Sequence, residues 1–288
     1  MKLVTFQAGA APELGVVRGE DRIVPISRVA PRIAADMIDL ISRWPQLSPE
    51  VHRIAAEAVE TLALEPAQLL APIPRPPKIL AIGLNYADHI AESGQDRPEH
   101  QTWFSKAATS ANGPYASVEI PKASRAVDYE AELVAVIGVR GRHISRQAAR
   151  QAIFGFCVGN DVSVRDWQMR TSQWVLGKSF DTHAPFGPWI VTADELGDPH
   201  TLGIRCLVNG EVRQNSNTSN LVFNVFDQIA RLSQAMTLEP GDVIFTGTPG
   251  GVGLAMNPPQ WLKDGDNVRV EIDRIGAIEA VMRPEAPA

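Results

Sequence analysis

The sequence predicts an α+β fold that is mainly β, with a small N-terminal α+β domain over residues 1–72 and a larger strand-rich domain over residues 73–288. Two observations lead to this prediction. Short strand-like segments outnumber helical ones along the second part, which argues against a regular parallel sheet with a helix after every strand. At the junction, four prolines fall within the seven residues Ala71-Pro72-Ile73-Pro74-Arg75-Pro76-Pro77, a composition that favours a stiff connector.

The N-terminal part combines strands with helical sequence. Residues 2–6, 15–17 and 22–25 have the pattern of short strands separated by turns, and residues 33–63 are rich in Ala, Ile, Leu and Glu. We expect helices in this second stretch, interrupted near Pro45 and Pro49, because proline removes a backbone donor from a helix.

The larger part contains apolar strands, one hairpin and one clear amphipathic helix. Asn209-Gly210 predicts the hairpin, since both residues tolerate a positive φ. Apolar residues at helical spacing predict the helix over residues 221–236. The segments predicted as strands are 78–84, 132–139, 153–158, 203–208, 211–214, 242–246, 267–273 and 277–282.

Composition and charge argue against several classes of protein. The 27 basic and 33 acidic residues give a net charge of −6, too mild to attract nucleic acid. No run of 18 apolar residues occurs, so no membrane span is expected. The segment 1–7 lacks the pattern of a signal peptide, which makes the cytoplasm the expected location. Cys157 and Cys206 lie in apolar runs and are expected to be buried, reduced thiols.

Two glutamates form the strongest local feature. In the segment Asp128-Tyr129-Glu130-Ala131-Glu132, Glu130 and Glu132 are two residues apart on a predicted strand and project to the same side. Burying both without a cation would be costly, because adjacent carboxylates repel each other. The spacing leaves two possibilities: the pair is solvated on an exposed face, or a metal ion holds it.

A third carboxylate follows the next apolar strand. Asp161 comes directly after the segment 153–160, at the end of a predicted buried strand, where ligand groups tend to collect. Three carboxylates without a neighbouring His or Cys cluster favour a hard ion such as Mg²⁺, Mn²⁺ or Ca²⁺ over zinc.

The segment 83–94 offers a candidate general base. Asn85 is expected to cap a short helix that Gly94 ends. His89 and Glu92 are then three residues apart on one face of that helix, where the carboxylate can orient the imidazole ring. An ordinary surface ion pair explains the same spacing equally well.

Two further segments offer groups that could bind an anion. Lys178 lies in an apolar, glycine-containing stretch where a cation could receive a substrate carboxylate or enolate, although Arg165 and Lys178 could also be ordinary surface charges. The loop 245–253 lacks the lysine of a phosphate-binding loop. We interpret it as a flexible turn lining a pocket, with Thr248 and backbone amides available to an anion.

Taken together, these segments resemble the fumarylacetoacetate hydrolase superfamily, in particular its small bacterial-type members such as acylpyruvate hydrolases and 2-hydroxyhepta-2,4-diene-1,7-dioate isomerases. The resemblance rests on five motifs that occur in the family's order between residues 78 and 278: NYADH followed by a glutamate, DYEAEL, NDVSVRD, GKSFDT and TGTPGGVG. It implies a mixed β-sandwich roll with a small N-terminal domain, assembled into a homodimer or a larger oligomer.

The resemblance also implies roles for individual residues. The Mg²⁺ or Mn²⁺ ligands would be Glu130, Glu132 and Asp161, and His89 with Glu92 would be a catalytic dyad on a mobile lid. Lys178 would be the cation beside the reacting centre. The positions expected to contact the substrate are Tyr86, Arg165, Gln168 and Thr248.

Two positions depart from the patterns of known family members. Ile82 stands where fumarylacetoacetate hydrolases proper carry a further metal-binding aspartate, so a three-carboxylate site is expected. Leu84 stands where relatives that act on acylpyruvates or oxaloacetate often carry an arginine.

The predicted activity is a divalent-metal-dependent hydrolysis of a C–C bond in a small 2,4-dioxo acid, of the acylpyruvate or fumarylpyruvate kind met in aromatic catabolism. His89 would deprotonate water, and the cation and Lys178 would stabilise the enolate that leaves. Three carboxylates and a divalent ion leave one negative charge, which repels an anionic substrate unless Lys178 and Arg165 compensate. The alternatives are a decarboxylase of oxaloacetate-like acids, a keto–enol or 2-hydroxydienoate isomerase using the same site, and a non-catalytic metal-binding scaffold.

Overall fold

The computed structural model describes residues 1–65, 68–94 and 96–286. Strands dominate it, as the sequence predicts. In chain order the strands are β1 (Lys2–Gln7), β2 (Pro12–Arg18), β3 (Arg22–Val24), β4 (Leu62–Ala63), β5 (Gln68–Leu69), β6 (Ile79–Gly83), β7 (Thr102–Lys106), β8 (Ala111–Asn112), β9 (Val118–Ile120), β10 (Val127–Asp128), β11 (Ala131–Ile137), β12 (Ile153–Asn160), β13 (Ser163–Val164), β14 (Ala184–Thr192), β15 (Gly203–Val208), β16 (Glu211–Asn217), β17 (Val243–Phe245), β18 (Asn267–Ile272) and β19 (Gly276–Pro284).

Helices are short and lie between or outside the sheets. They are α1 (Ile26–Val29), α2 (Met37–Ser42), α3 (Trp44–Glu57), α4 (Ala87–Ser93), α5 (Ala149–Ala152), α6 (Arg165–Gln168), α7 (Val175–Lys178), α8 (Ala193–Leu196) and α9 (Val225–Ala235). Single 3-10 turns cover Ala108–Ser110, Thr218–Asn220 and Gly253–Ala255. None of the helices in the described ranges is long and apolar enough to cross a membrane.

Two sheets carry the fold. The larger is 12-stranded and runs in the order β4-β3-β2-β1-β14-β12-β11-β17-β6-β7, with β5 added to β1 and β8 added to β14. The smaller is five-stranded, in the order β16-β15-β18-β19-β9. The N-terminal strands belong to the large sheet, because β1 pairs antiparallel with β14. The boundary at residues 72 and 73 stays a prediction.

The central strand β11 is buried on both faces, which explains its continuous apolar sequence. Leu133, Ala135 and Ile137 face a core shared with the five-stranded sheet and α9. Val134 and Val136 face a second core, which is closed by α2 and α3. A carboxylate placed on such a strand is therefore held in a dry, rigid setting.

Most of the elements predicted from the sequence are confirmed, with two local differences. Asn209 and Gly210 form the hairpin between β15 and β16 with φ values of 53° and 81°. The amphipathic helix begins at Val225, later than predicted, because the side chain of Asn224 caps it. The expected interruption at Pro49 is wrong. Pro49 lies inside α3, whose buried face packs in the second core.

Candidate active site

The three predicted ligand carboxylates meet where β11 and β12 run side by side. Ala131 lies opposite Asn160 in this antiparallel pair, and the backbone N–H of Asp161 donates to the carbonyl oxygen of Glu130 at 2.9 Å. One oxygen from each of Glu130, Glu132 and Asp161 lies within 4.8 Å of the others, and all three residues are buried. Of the two possibilities left by the sequence, burial excludes the solvated pair.

The electrostatics of the cluster show a deficit of positive charge. Burial, together with the neighbouring carboxylates Asp161 and Glu130, raises the pKa of Glu132 well above its ordinary value. Burial alone would also raise the pKa of Glu130, but Lys178 and Arg165 more than offset it and lower that pKa to about 2. Among the residues that the structure describes, no cationic side chain forms an ion pair with Glu132, whose carboxylate accepts a hydrogen bond from the backbone N–H of Gly247 at 2.7 Å.

Lys178 lies among the ligand carboxylates, at the end of α7. Its Nζ atom is 2.7 Å from Glu130 Oε2 and 2.7 Å from Asp161 Oδ2, and the side chain is 2% exposed. Desolvation would lower its pKa, but the carboxylates of Asp161 and Glu130 raise it above the ordinary value, so the ammonium form is favoured.

A second lysine, which the sequence analysis missed, also reaches the cluster. Lys106 at the end of β7 places Nζ 2.5 Å from Asp161 Oδ1 and donates to the carbonyl oxygen of Val162 at 3.2 Å. Desolvation lowers its pKa, an effect that Asp161 opposes. Asp161 is thus flanked by the Nζ atoms of two lysines.

The buried charges fit a divalent cation. Four carboxylates at the site (Asp128, Glu130, Glu132 and Asp161) face three cationic side chains (Lys106, Arg165 and Lys178), which leaves one formal negative charge. A divalent ion held by Glu130, Glu132 and Asp161 would turn this into one positive charge. The basic side chains at the site, with Arg165 and Lys178 among them as the sequence predicts, thus supply the positive charge that an anionic substrate requires.

The candidate dyad lies on α4, beside the same cavity. His89 Nδ1 is 3.5 Å from Glu92 Oε2, at the expected spacing of three residues. Gly94 ends the helix with a φ of 65°, as predicted. The predicted capping role of Asn85 is wrong. Its side chain instead donates to the carbonyl oxygens of Phe223 and Thr246, which ties the base of α4 to the body of the protein.

Glu92 also anchors α4 to the loop that follows β17. The backbone N–H of Gly251 lies 2.9 Å from both carboxylate oxygens of Glu92. Glu92 thus lies at ion-pair distance from the imidazole without a hydrogen bond to it, and its carboxylate is fixed by a backbone donor of the opposite wall. This arrangement suits a general base whose orientation depends on the position of the loop.

A cavity of about 120 Å³ joins the dyad to the carboxylate cluster. Its polar lining includes His89, Glu130, Arg165, Gln168, Lys178 and Thr248. Its apolar lining includes Ile82, Leu84, Met169, Trp174, Val252 and Leu254. The cavity therefore brings a base, a cation site and an apolar wall together around a volume that suits a small molecule.

Comparison with known proteins agrees with this geometry. Residues 78–283 match the model of the fumarylacetoacetate (FAA) hydrolase C-terminal family, which spans every residue of the candidate site. The chain belongs to the fumarylacetoacetate hydrolase family.

Family members that are similar to this chain are named for different activities. The mitochondrial oxaloacetate tautomerase of Rattus norvegicus is 43% identical over 282 residues, covering 96% of this chain and 90% of that protein. The structure of maleylpyruvate hydrolase from Sphingobium sp. SYK-6, in complex with manganese(II) ion and pyruvate, has a TM-score of 0.84 at 33% identity and covers 99% of this chain and 100% of its own. A probable 2-hydroxyhepta-2,4-diene-1,7-dioate isomerase from Mycobacterium abscessus has a TM-score of 0.84 at 31% identity, with both chains covered completely.

In this member of the fumarylacetoacetate hydrolase family, the four residues predicted to contact the substrate do not all lie in the cavity lining. Gln168 and Thr248 line the cavity, held by hydrogen bonds from Arg165 at 2.9 Å and from Gln214 at 2.8 Å. Tyr86 is fully buried and precedes α4 as its N-cap residue, outside the described lining of the cavity. Arg165 donates to Glu130 at 2.7 Å, so it acts on a ligand carboxylate as well as facing the cavity.

Proposed function

We propose that this chain is a divalent-cation-dependent enzyme that acts on a small 2-oxo acid, and that its principal reaction is keto–enol tautomerisation of an oxaloacetate-type acid. The observation that carries the substrate class is the buried cluster of Glu130, Glu132 and Asp161 beside the His89–Glu92 pair. The choice of reaction is supported by the similarity to oxaloacetate tautomerase along 96% of the chain.

The donor set favours Mg²⁺ or Mn²⁺ as the cofactor. All three candidate ligands are carboxylate oxygens, which hard cations prefer. When bound, such a cation would act as a Lewis acid that polarises the 2-oxo group and orients the neighbouring carboxylate. A divalent ion at this cluster is also supported by the manganese ion of the Sphingobium maleylpyruvate hydrolase.

The residues of the chain would carry the proton transfer. In the ketone-to-enol direction, His89 takes a proton from C3 of the acid, and the imidazolium then returns a proton to the 2-oxo oxygen; the reverse transfers restore the ketone. Glu92 stabilises the imidazolium that forms. Lys178 and Lys106, both within 2.7 Å of Asp161, reduce the negative charge at the cluster and so favour the enolate anion that lies between the two forms.

Hydrolysis of a C–C bond in an acylpyruvate-like 2,4-dioxo acid is the second candidate, and the dyad favours it. His89 could deprotonate a water molecule, whose oxygen attacks the distal carbonyl carbon at C4. The C3–C4 bond then breaks, the distal part leaves as a carboxylic acid, and the pyruvate enolate takes up a proton at C3. The similarity to maleylpyruvate hydrolase supports this reading. We also propose that the enzyme assembles into a homodimer or larger oligomer and acts without nucleic acid or a membrane as partner.

Side-by-side assays separate these reactions. The purified protein would be given the enol form of oxaloacetate, the ketone form of oxaloacetate, and acetylpyruvate, each with Mg²⁺, with Mn²⁺ and with EDTA. Cation-dependent decay of the enol absorbance without CO₂ release supports the tautomerase. Release of acetate and pyruvate supports the hydrolase, and CO₂ evolution from oxaloacetate supports a decarboxylase. Full activity in EDTA, with no cation bound to the protein, would contradict the role of the cluster.

A further inference from the structure

Asp128 is fully buried and belongs neither to the carboxylate cluster nor to the dyad. Its carboxylate accepts hydrogen bonds from the backbone N–H groups of Tyr129, Gly253 and Leu254 at 2.9, 2.8 and 3.0 Å. It also accepts from Arg165 Nε at 2.8 Å. A buried carboxylate with this many donors is a rigid anchor, and its partners come from three separate segments of the chain.

The first segment that Asp128 holds leads to a candidate cation ligand. Arg165 spans two carboxylates: its Nε donates to Asp128, and its NH1 donates to Glu130 Oε1 at 2.7 Å. The guanidinium charge is thus shared between the two carboxylates. With an uncharged side chain in place of Asp128, the guanidinium would act on Glu130 alone and would compete with a cation for that ligand.

The second segment is the wall of the cavity. Val252 and Leu254 line it, and Asp128 fixes the backbone on either side of Gly253. Gly253 approaches so closely that a Cβ atom there would lie 2.7 Å from Asp128 Oδ1. The shape of the wall therefore depends on this carboxylate.

The neighbouring residue extends the contact to the dyad. The Tyr129 hydroxyl donates to the carbonyl oxygen of Gly251 at 3.0 Å, and the N–H of Gly251 is the donor to Glu92. Asp128 therefore contacts the cavity wall, and Tyr129 contacts the loop that anchors the dyad. Glu130 itself belongs to the carboxylate cluster.

We propose that the segment 128–130 is a positioning unit. Asp128 holds Glu130 through Arg165 and the wall 252–254 through backbone bonds, and so sets both cation affinity and substrate fit, while Tyr129 holds the loop at Gly251 that anchors the dyad. This inference rests on the cation site of the proposed function, and it does not depend on which reaction the enzyme performs.

Cation binding without substrate is the first test. Asp128→Asn preserves the shape of the side chain but removes its charge and one acceptor. Its dissociation constant for Mn²⁺, measured by calorimetry or by the spin resonance of free Mn²⁺, is expected to rise about 10–100-fold, as is typical when a residue behind a metal ligand is lost. The KM for the substrate should also rise, by a larger factor than kcat falls.

Asp242→Asn is the matched control. Asp242 is another fully buried aspartate with a cationic partner, Lys78, 2.9 Å away, but it lies outside the cavity lining. The control variant should lose stability and keep the Mn²⁺ affinity and KM of the wild type. Equal effects of the two substitutions on Mn²⁺ affinity would reduce the role of Asp128 to general stability and overturn the proposal.

A double-mutant cycle tests the route through Arg165. In an Arg165→Gln background, Asp128→Asn should change the Mn²⁺ affinity by less than about twofold. The reason is that the guanidinium, which Asp128→Asn would leave without its partner, is already absent from that background. A loss as large as in the wild-type background would overturn the proposal, as would a single Asp128→Asn variant with wild-type Mn²⁺ affinity.

Tyr129→Phe keeps the proposal testable if Asp128→Asn does not fold. It removes only the hydroxyl that holds Gly251. We expect kcat to fall by about tenfold, which is the usual contribution of one hydrogen bond, and Mn²⁺ affinity to stay unchanged. An unchanged kcat would overturn the assignment of segment 128–130 as a positioning unit. Absent turnover with intact Mn²⁺ binding in the wild type would count against the proposed function alone.

Discussion

The Nζ atom of Lys178 lies 2.7 Å from the Oδ2 atom of Asp161, inside the group of carboxylates that could hold a cation. The same nitrogen is 2.7 Å from Glu130. One ammonium group thus reaches two candidate ligands while also lining the cavity where the substrate would lie. This position allows it to stabilise negative charge on a substrate without being required for cation binding.

Replacing Lys178 should therefore separate turnover from cation binding. We expect Lys178→Met to lower kcat by about 10²–10³-fold, the usual loss when an oriented charge in a dry site is removed. Mn²⁺ affinity should stay the same or increase, because a competing cation has gone. Lys122→Met, at an exposed lysine, is the control and should keep wild-type kinetics. Normal turnover by the Lys178 variant would rule out its assigned role.

His89 is expected to be the group that moves the proton. His89→Ala should reduce tautomerase and hydrolase activity by about 10²–10⁴-fold, the usual range for loss of a general base. His52→Ala removes an exposed histidine of α3 and serves as the control. If oxaloacetate were still decarboxylated at the wild-type rate by the His89 variant, that reaction would need no base from this position, and the decarboxylase would become the stronger interpretation.

Glu132 should destabilise the protein when no cation is present. Its pKa is raised because burial and the carboxylates of Asp161 and Glu130 oppose its ionisation. We expect Glu132→Gln to melt at the same or a higher temperature than the wild type in EDTA. Excess Mn²⁺ should stabilise the wild type, by about 2.7 kcal/mol at one hundred times its dissociation constant, but not the variant. Equal stabilisation of both proteins by Mn²⁺ in thermal melts would mean that Glu132 is not a ligand.

His183 should make the protein sensitive to mild acid. Desolvation of the buried ring lowers its pKa from 6.5 to about 4, although the contact of Nε2 with the carbonyl oxygen of Glu119 acts in the opposite direction. Between these values the unfolded chain binds a proton that the folded chain does not, so stability is complete above about pH 6.5 and falls as the pH drops towards 4. The loss amounts to about 3 kcal/mol once the pH is below both values.

His183→Gln tests the origin of this pH dependence. Glutamine can still donate a hydrogen bond to Glu119 but does not titrate. Urea unfolding followed from pH 7.5 to pH 4.5 should give a shallower decline for the variant than for the wild type. Parallel curves for the two proteins would assign the acid sensitivity to other groups.

The sequence alone predicted the parts of the site that come from local spacing. Glu132 lies in β11 and Glu130 directly precedes that strand, Asp161 directly follows β12, and the antiparallel pairing of β11 with β12 brings them together. The spacing of His89 and Glu92 likewise needs only one turn of α4. Fold class and family were predicted correctly because strand patterns and five ordered motifs are properties of the linear chain.

Long-range contacts were not predictable in this way. Lys106 ends an unremarkable strand, and its contact with Asp161 joins residues 55 positions apart in the chain. Asn85 has the residue type of a helix cap, but tertiary partners at Phe223 and Thr246 compete for its amide. Asp128 is next to the recognised glutamates, and its role depends on a loop about 125 residues away. In each case the decisive partner is distant in sequence.

The pairing of β1 with β14 has a consequence for the way the chain can be divided. Lys2 and Leu3 lie opposite Val191 and Ile190, so β1 must wait during synthesis for a partner that emerges almost two hundred residues later. Removing the N-terminal segment at the proline-rich connector would leave the edge of β14 at Ile190 and Val191 open to pairing with other chains. We therefore expect a protein shortened in this way to be insoluble even with every residue of the candidate site intact.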